Sequence, residues 1–192
     1  ARDEDKKKIP EAGDFMVDLG LPAEIVKKKV RIGDPCTLVQ SFDQVGDVVS
    51  GKCLDNRVAG FVAIEAMKKV KKLKYDLFYA ATVQEEVGLR GAGPAAYTAE
   101  PDIGIAIDTT LAVDTPGVPE EDRITKQGDG VALTIMDGAS IAHRPLIDEF
   151  EAVAKKREIP YQLSILPRGG TDAAAIQRTR GGPFVLLTGT QS

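Results

Sequence analysis

Three nearly continuous apolar runs constrain the fold of this chain more than any other feature: "YDLFYAATV" (75–83), "DIGIAIDTT" (102–110) and "GVALTIMD" (130–137). Runs of this kind are typical of strands that are buried on both faces, as in a parallel sheet. Helical patterns alternate with them, at "DNRVAGFVAIEAMKKVKK" (55–72) and "HRPLIDEFEAVAKKREIP" (143–160). The alternation predicts an α/β fold in which helices sandwich a mostly parallel sheet.

Shorter patterns complete the chain on both sides of these runs. After the second helix we predict a strand, a short helix and a strand, at "YQLSIL", "TDAAAIQRT" and "PFVLLT". Residues 1–50 are broken by glycine and proline, which indicates part of a small β-rich unit. Its candidate elements are strands at "FMVDLG", "PCTLVQSF" and "DVVSGKCL" and one helix at "PAEIVKKK". We therefore divide the chain into residues 1–50 and 51–192.

The composition argues against two kinds of partner, nucleic acid and membrane. The net charge of −4 offers no basic excess to neutralise phosphates, which argues against a nucleic-acid partner. No apolar run approaches the ~20 residues that a membrane helix needs, so we expect no membrane partner. The two cysteines, Cys36 and Cys53, are expected to be free, buried thiols of a protein in the reducing cytoplasm.

Carboxylates follow the predicted strands at the points where ligands bind in open α/β sheets. Glu85 and Glu86 come directly after the first run, Asp108 ends the second, and Asp55 stands at the start of the long helix. Such groups would repel one another unless a divalent cation, or a pair of cations, lay between them. In a two-metal hydrolase one carboxylate binds metal while another takes a proton from the attacking water.

Each of these carboxylates also has a purely structural interpretation. Asp55 could cap its helix, Asp108 could be a turn residue, and Glu85 with Glu86 could form an exposed corner. The segment "PRGGTDAAAI" (167–176) could offer backbone N–H groups to a ligand, or it could be an ordinary strand-to-helix turn. The lone histidine, His143, is expected to be structural or exposed.

Five motifs, in this order and at these spacings, resemble the cytosolic metallo-aminopeptidases of the tetrahedral type, which include glutamyl aminopeptidases and cellulase M-like proteins. They are "LDNR", "QEEVGLRGA", "IAIDTT", "DTPGVP" and "GGTDAAAI". The resemblance implies a phosphorylase/hydrolase-like α/β sandwich with an inserted, PDZ-like β-barrel dimerisation domain. Residues 1–50 would be the second half of that insert, and residues 51–192 part of the catalytic domain.

The resemblance also assigns roles to the candidate residues. Asp55 would bridge two metal ions, Glu86 and Asp108 would each bind one of them, and Glu85 would be the general base. The turn that would contact substrate comprises Gly169, Gly170, Thr171 and Asp172. The implied reaction removes N-terminal amino acids from short peptides with two zinc or cobalt ions. The implied assembly is a cytoplasmic homo-oligomer, in which dimers build a dodecamer.

Two features of the family pattern are missing from these 192 residues. The pattern includes an earlier stretch with a metal-binding histidine and a later histidine near the end, and His143 corresponds to neither. We therefore expect a fragment that binds metal weakly and has little activity of its own. A deacetylase or acyl-amino-acid hydrolase of the same clan, and a non-catalytic assembly fragment, remain alternatives. Side-chain specificity and metal identity stay open.

Overall fold

A computed structural model describes residues 9–191, and the chain divides into two compact units between Val39 and Gln40. The described part of the first unit contains a 3-10 turn, Ala12–Asp14, and helix α1, Ala23–Lys29. Helix α1 confirms the helix predicted at "PAEIVKKK". Its three closing lysines suit the negative end of the helix dipole.

The second unit begins with a small antiparallel hairpin of strands β1, Asp43–Val45, and β2, Val48–Ser50. Gly46 allows the turn because it adopts a positive φ of 62°. Strand β2 confirms part of the strand predicted at "DVVSGKCL". The strands predicted at "FMVDLG" and "PCTLVQSF" are wrong, since neither segment pairs with another part of the described chain. The assignment of residues 1–50 to an inserted domain stays a prediction.

Four strands form the main sheet, in the spatial order β3-β6-β4-β5. They are β3 Ile103–Thr110, β4 Val131–Met136, β5 Tyr161–Ile165 and β6 Phe184–Gln191. β3 pairs with β6 and β4 with β5 in parallel, while β4 and β6 pair antiparallel. The predicted mixed α/β fold with a mostly parallel sheet is confirmed.

Helices cover both faces of this sheet. Helix α4, Arg144–Lys156, buries Ile147 against Leu133 and Leu186. Helix α5, Asp172–Gln177, packs Ala173 against Val185 instead. Because Val185 and Leu186 are consecutive in β6, their side chains point to opposite faces, and the two helices lie on opposite sides.

Two further helices flank β3 and the end of α5. Helix α2, Leu54–Lys69, confirms the predicted long helix, although Asp55 and Asn56 have non-helical dihedral angles at its start. Helix α3, Ala92–Ala99, was not predicted from the sequence. Its alanine content is a signal that the helix-propensity scale would have recognised.

The strand predicted at 75–83 is wrong. The segment is not assigned as a strand, and Tyr75 and Phe78 expose 80% and 66% of their surface. A strand forms only where a neighbouring strand accepts and donates its hydrogen bonds, and no described strand pairs with this segment. Its apolar composition indicates that the segment tends to be buried, but the other described residues do not cover it.

Two smaller expectations can also be compared with the structure. Cys36 and Cys53 are free, as predicted, but both are exposed rather than buried. Within residues 9–191, no helix is both long enough and apolar enough to cross a bilayer.

Candidate active site

Glu85 and Glu86 lie in a tight loop that follows the extended segment 75–83. The Gly91 N–H donates to the carbonyl oxygen of Val83 at 3.0 Å and closes the loop. A Cβ atom on Gly91 would lie 2.6 Å from both the backbone nitrogen and the backbone oxygen of Val83, so only glycine fits there. The loop holds Glu85 half-buried and leaves Glu86 exposed.

Asp108 lies near the carboxyl end of β3, where two donors orient its side chain. Its Oδ1 accepts hydrogen bonds from the Asn56 side chain and from the Thr109 N–H, both at 2.8 Å. The same Asn56 amide donates to the carbonyl oxygen of Ile107 at 3.0 Å. Asn56 therefore joins the start of α2 to β3, directly beside Asp55 in the chain.

Asp172, the first residue of α5, completes the group of carboxylates. Its Oδ2 accepts a short hydrogen bond from the hydroxyl of Thr82, just ahead of the Glu85 loop. Its Oδ1 is buried and has no hydrogen-bond partner among the described residues. An unpartnered buried carboxylate oxygen is costly, which indicates that a donor or a cation belongs beside it.

Glu85, Asp108 and Asp172 line a cavity of about 320 Å³, whereas Asp55 and Glu86 are not among the residues of its walls. Segment 75–83, α2, α3, β3 and α5 all contribute to its walls, which carry many alanines. Its polar lining comprises Asn56, Thr82, Glu85, Asp108 and Asp172. A cavity of this size with apolar walls and a few convergent polar groups is typical of a small-molecule site.

Two of these carboxylates, Glu85 and Asp108, have raised pKa values. Partial burial raises the pKa of Glu85 to about 7, and the charges of Asp108, Glu86, Asp172 and Asp55 add to the effect, in that order. Burial also raises the pKa of Asp108 to about 6, although its hydrogen bond from Thr109 opposes the rise. The charge interactions on Glu85 indicate that these five carboxylates lie in the same region of the structure.

The donor set has the chemistry that a divalent cation requires. Carboxylate oxygens come from four separate segments, burial together with mutual repulsion raises two pKa values, and one buried oxygen has no partner among the described residues. Within residues 9–191, however, no three His, Cys, Asp or Glu side chains converge closely enough to hold an ion. The described residues therefore supply donor groups without forming a complete cage.

The remaining candidates lie outside the cavity. Gly169 has a φ of +85° and packs with Gly170 against the neighbouring turn, and the Thr171 hydroxyl donates to Asp137. Of the "GGTD" turn, only Asp172 reaches the cavity. His143 precedes α4 and stacks on Phe184 with the ring centroids 4.0 Å apart, consistent with a structural role.

Three residues near this site were missed by the sequence interpretation: Asn56, Thr82 and Asp137. Asn56 follows Asp55 directly in "LDNR", and Asp137 follows a buried strand as Asp108 ends one, so both had a usable signal. Thr82 had none, because its contact with Asp172 joins residues 90 positions apart.

The chain belongs to the M42 glutamyl aminopeptidase family, whose pattern matches residues 1–191. Membership in this peptidase family implies the use of divalent metal ions.

Individual relatives agree with this assignment. The chain is 37% identical over 173 residues to a lysyl aminopeptidase of Pyrococcus furiosus, covering 88% of this chain and 48% of the relative. An aminopeptidase structure from Desulfurococcus kamchatkensis is 34% identical with a TM-score of 0.94, covering 100% of this chain and 55% of the other. The TET1 peptidase of Pyrococcus horikoshii, which can assemble into a tetrahedron or a large octahedral shell, is 31% identical with a TM-score of 0.66, covering 79% and 44%. The chain spans about half the length of the curated relatives it matches.

Proposed function

We propose that the protein is a di-metal aminopeptidase that removes N-terminal amino acids from short peptides. The observation that carries the proposal is the position of Glu85, a carboxylate with a raised pKa among other carboxylates beside a cavity. Membership in the M42 family supports the reaction class.

In this proposal Glu85 is the general base. The pKa of about 7 belongs to the metal-free protein, and bound cations would favour the ionised form of Glu85, which can accept a proton at neutral pH. Glu85 would accept a proton from the attacking water and deliver it to the amine that leaves. Because it is half-buried, it has fewer competing water contacts than Glu86.

Asp55, Glu86 and Asp108 would hold the metal ions. When bound, the ions would polarise the scissile carbonyl and stabilise the negative charge that develops on its oxygen. Asn56 would fix the orientation of Asp108 through its 2.8 Å hydrogen bond. Zinc and cobalt both suit carboxylate donors, so the donor set alone does not select between them.

The turn at Gly169, Gly170, Thr171 and Asp172 would bind substrate, with Asp172 as its member in the cavity. We further propose a cytoplasmic homo-oligomer of the TET type, with residues 1–50 in a dimerisation insert and residues 51–192 in the catalytic domain. Light scattering on the complete protein tests the assembly, and a monomer at micromolar concentration would contradict it.

Replacement of the base tests the mechanism. In the complete protein, supplied with zinc or cobalt, Glu85→Gln should lower kcat on aminoacyl p-nitroanilides about 10²–10⁴-fold, the usual contribution of a general base. Bound metal, measured by elemental analysis, should stay at the wild-type level. Glu149→Gln on the exposed surface of α4 is the matched control and should keep full activity.

Two outcomes would contradict this proposal and favour an alternative function. Wild-type protein that hydrolyses N-acetylated lysine, but no aminoacyl anilide, would support the deacetylase or acyl-amino-acid hydrolase alternative. Wild-type protein that assembles without binding metal or turning over either substrate would support a non-catalytic assembly role.

A further inference from the structure

Asp137 is a buried carboxylate that the proposed chemistry does not use. It follows β4 directly, and only 4% of its surface is exposed. Burial of a carboxylate is unfavourable unless hydrogen bonds replace the lost water contacts. The partners of its two oxygens therefore indicate what the residue does.

The two oxygens of Asp137 have different partners. Oδ1 accepts from the N–H groups of Ala139, at 2.7 Å, and Ser140, and from the Ser140 hydroxyl at 3.0 Å. These bonds close the turn at residues 137–140. Oδ2 instead accepts the hydroxyl of Thr171 at 3.3 Å, 34 residues further along the chain. If Asp137 only closed its own turn, Oδ1 alone would be sufficient.

The turns that these residues occupy are in direct backbone contact. A Cβ atom on Gly138 would lie 2.5 Å from the carbonyl oxygen of Gly169, and one on Gly170 would lie 2.7 Å from the Cβ of Ala139. Neither position has room for a side chain. The turn at 137–140 is therefore a rigid support for the turn at 169–171.

The turn that is supported in this way continues directly into the candidate active site. Thr171, which is 6% exposed, directs its hydroxyl to Asp137, and the next residue, Asp172, lines the cavity with Glu85. Asp172 is also held from the other side by the hydroxyl of Thr82. Two hydrogen bonds therefore set the position of Asp172. One is its own bond from Thr82, and the other is the buried bond from the preceding residue, Thr171, to Asp137.

We propose that Asp137 and Thr171 form a buried clamp that positions Asp172 for substrate binding. Both are positioning residues, since neither lines the cavity. The inference rests on the proposed aminopeptidase function, because it assigns Asp172 to the substrate-binding turn.

The decisive variant is Thr171→Val in the complete protein, which removes the hydroxyl and keeps the shape of the side chain. We expect kcat/KM on an aminoacyl p-nitroanilide to fall about tenfold, mainly through KM, because small displacements of a positioning group have effects of this order. Thr171→Ser keeps the hydroxyl and should keep the wild-type KM.

Asp137→Ala provides a second, independent variant. It removes the acceptor of the Thr171 hydroxyl together with the bonds that close the turn at 137–140. It should raise KM at least as much as Thr171→Val does. The double variant should be no worse than Asp137→Ala alone, because Thr171→Val removes an interaction that Asp137→Ala has already lost.

Thr125→Val is the matched control. Thr125 is 4% exposed and its hydroxyl donates to the carbonyl oxygen of Leu111 at 2.9 Å, so this variant also loses a buried hydrogen bond. It should lower the melting temperature and leave KM unchanged. If Thr171→Val and Asp137→Ala behave in the same way as this control, the clamp has no positioning role. Absence of turnover in the wild type would instead overturn the proposed function, and the inference with it.

Discussion

Asn56 is the residue on which the orientation of Asp108 depends most directly. Its side-chain amide donates to Asp108 and to the carbonyl oxygen of Ile107, and so ties α2 to β3. Groups that orient a metal ligand typically change metal affinity about 10–100-fold when they are removed. We expect Asn56→Ala to weaken zinc or cobalt binding by that factor, as measured by titration calorimetry on the complete protein.

A matched control for this change is available in the hairpin. The side chain of Gln44 also donates to a backbone carbonyl, that of Gly46, at 3.0 Å and in an exposed position. Gln44→Ala should leave metal affinity unchanged. Equal affinities for Asn56→Ala and wild type would show that Asp108 needs no orienting group.

The raised pKa values of Glu85 and Asp108 predict how pH affects the metal-free protein. Folding raises these values from 4.5 to about 7 and from 3.8 to about 6. Between the ordinary and the raised values the folded state binds more protons than the unfolded state, so this contribution to stability decreases as pH rises. It is fully present below the ordinary values and is lost as pH rises through 6 to 7.

Chelator-treated protein should therefore lose stability between about pH 4 and pH 7, as followed by urea unfolding. The double variant Glu85→Gln with Asp108→Asn should lose this dependence, because neither group can titrate. A dependence that survives in the double variant would have to come from other groups.

The roles of these residues were only partly predictable from the sequence. Strand ends and helix starts predicted that Asp55, Glu85, Glu86 and Asp108 would lie near one another, and their pKa coupling agrees with that. The contact between Thr82 and Asp172 depends on tertiary packing between distant segments, which periodicity does not encode.

At the level of secondary structure, the loop that holds Glu85 depends on a single close approach. A side chain at Gly91 would overlap the backbone of Val83, since its Cβ would lie 2.6 Å away. Overpacking of this kind typically costs about 1–3 kcal/mol. We expect Gly91→Ala to destabilise the protein by that amount and to lower activity, measured by denaturant unfolding and by hydrolysis of an aminoacyl anilide.

Gly93 is two residues further on and provides a comparison. It lies in the first turn of α3, and a Cβ atom there would meet nothing within 4 Å apart from its chain neighbours. Pro94 follows it and disfavours the helical conformation for a residue with a Cβ, so Gly93→Ala should not raise stability. It should nevertheless cost less than Gly91→Ala, because it meets no backbone, and an equal loss in the two variants would contradict the close approach at Gly91.

The strands and helices show which sequence signals are sufficient to predict secondary structure. Apolar composition correctly predicted β3, β4, β5 and β6. Each of these strands has a strand partner in the folded chain, which allows the predicted strand to form. Segment 75–83 has the same composition without a described partner, and composition cannot report whether a partner is present. Helix α3 was missed because its apolar residues are mostly alanines, which give a weak periodic signal.

For the whole molecule, the candidate metal ligands come from three separate parts of the chain. Asp55 belongs to α2, Glu86 to the loop before α3, and Asp108 to β3. A ligand that binds only the folded state stabilises it by about 2.7 kcal/mol when present at 100 times its Kd. Zinc or cobalt should therefore raise the melting temperature of the complete protein, and chelation should reverse the increase.

Asp108→Asn should lose most of this gain, whereas Asp148→Asn on the exposed face of α4 should keep it. An equal gain in all three proteins would mean that the ions bind elsewhere on the surface.

The extended apolar segment 75–83 has a consequence for colloidal behaviour. Its side chains are exposed in the described structure, and five lysines, at 68, 69, 71, 72 and 74, directly precede it. Charged residues that flank an apolar, β-prone stretch act as gatekeepers, because their repulsion keeps copies of the stretch apart. Salt at 0.1 M shortens the range of that repulsion to about 10 Å. Wherever the segment stays uncovered, ionic strength therefore controls whether molecules remain dispersed or associate edge to edge.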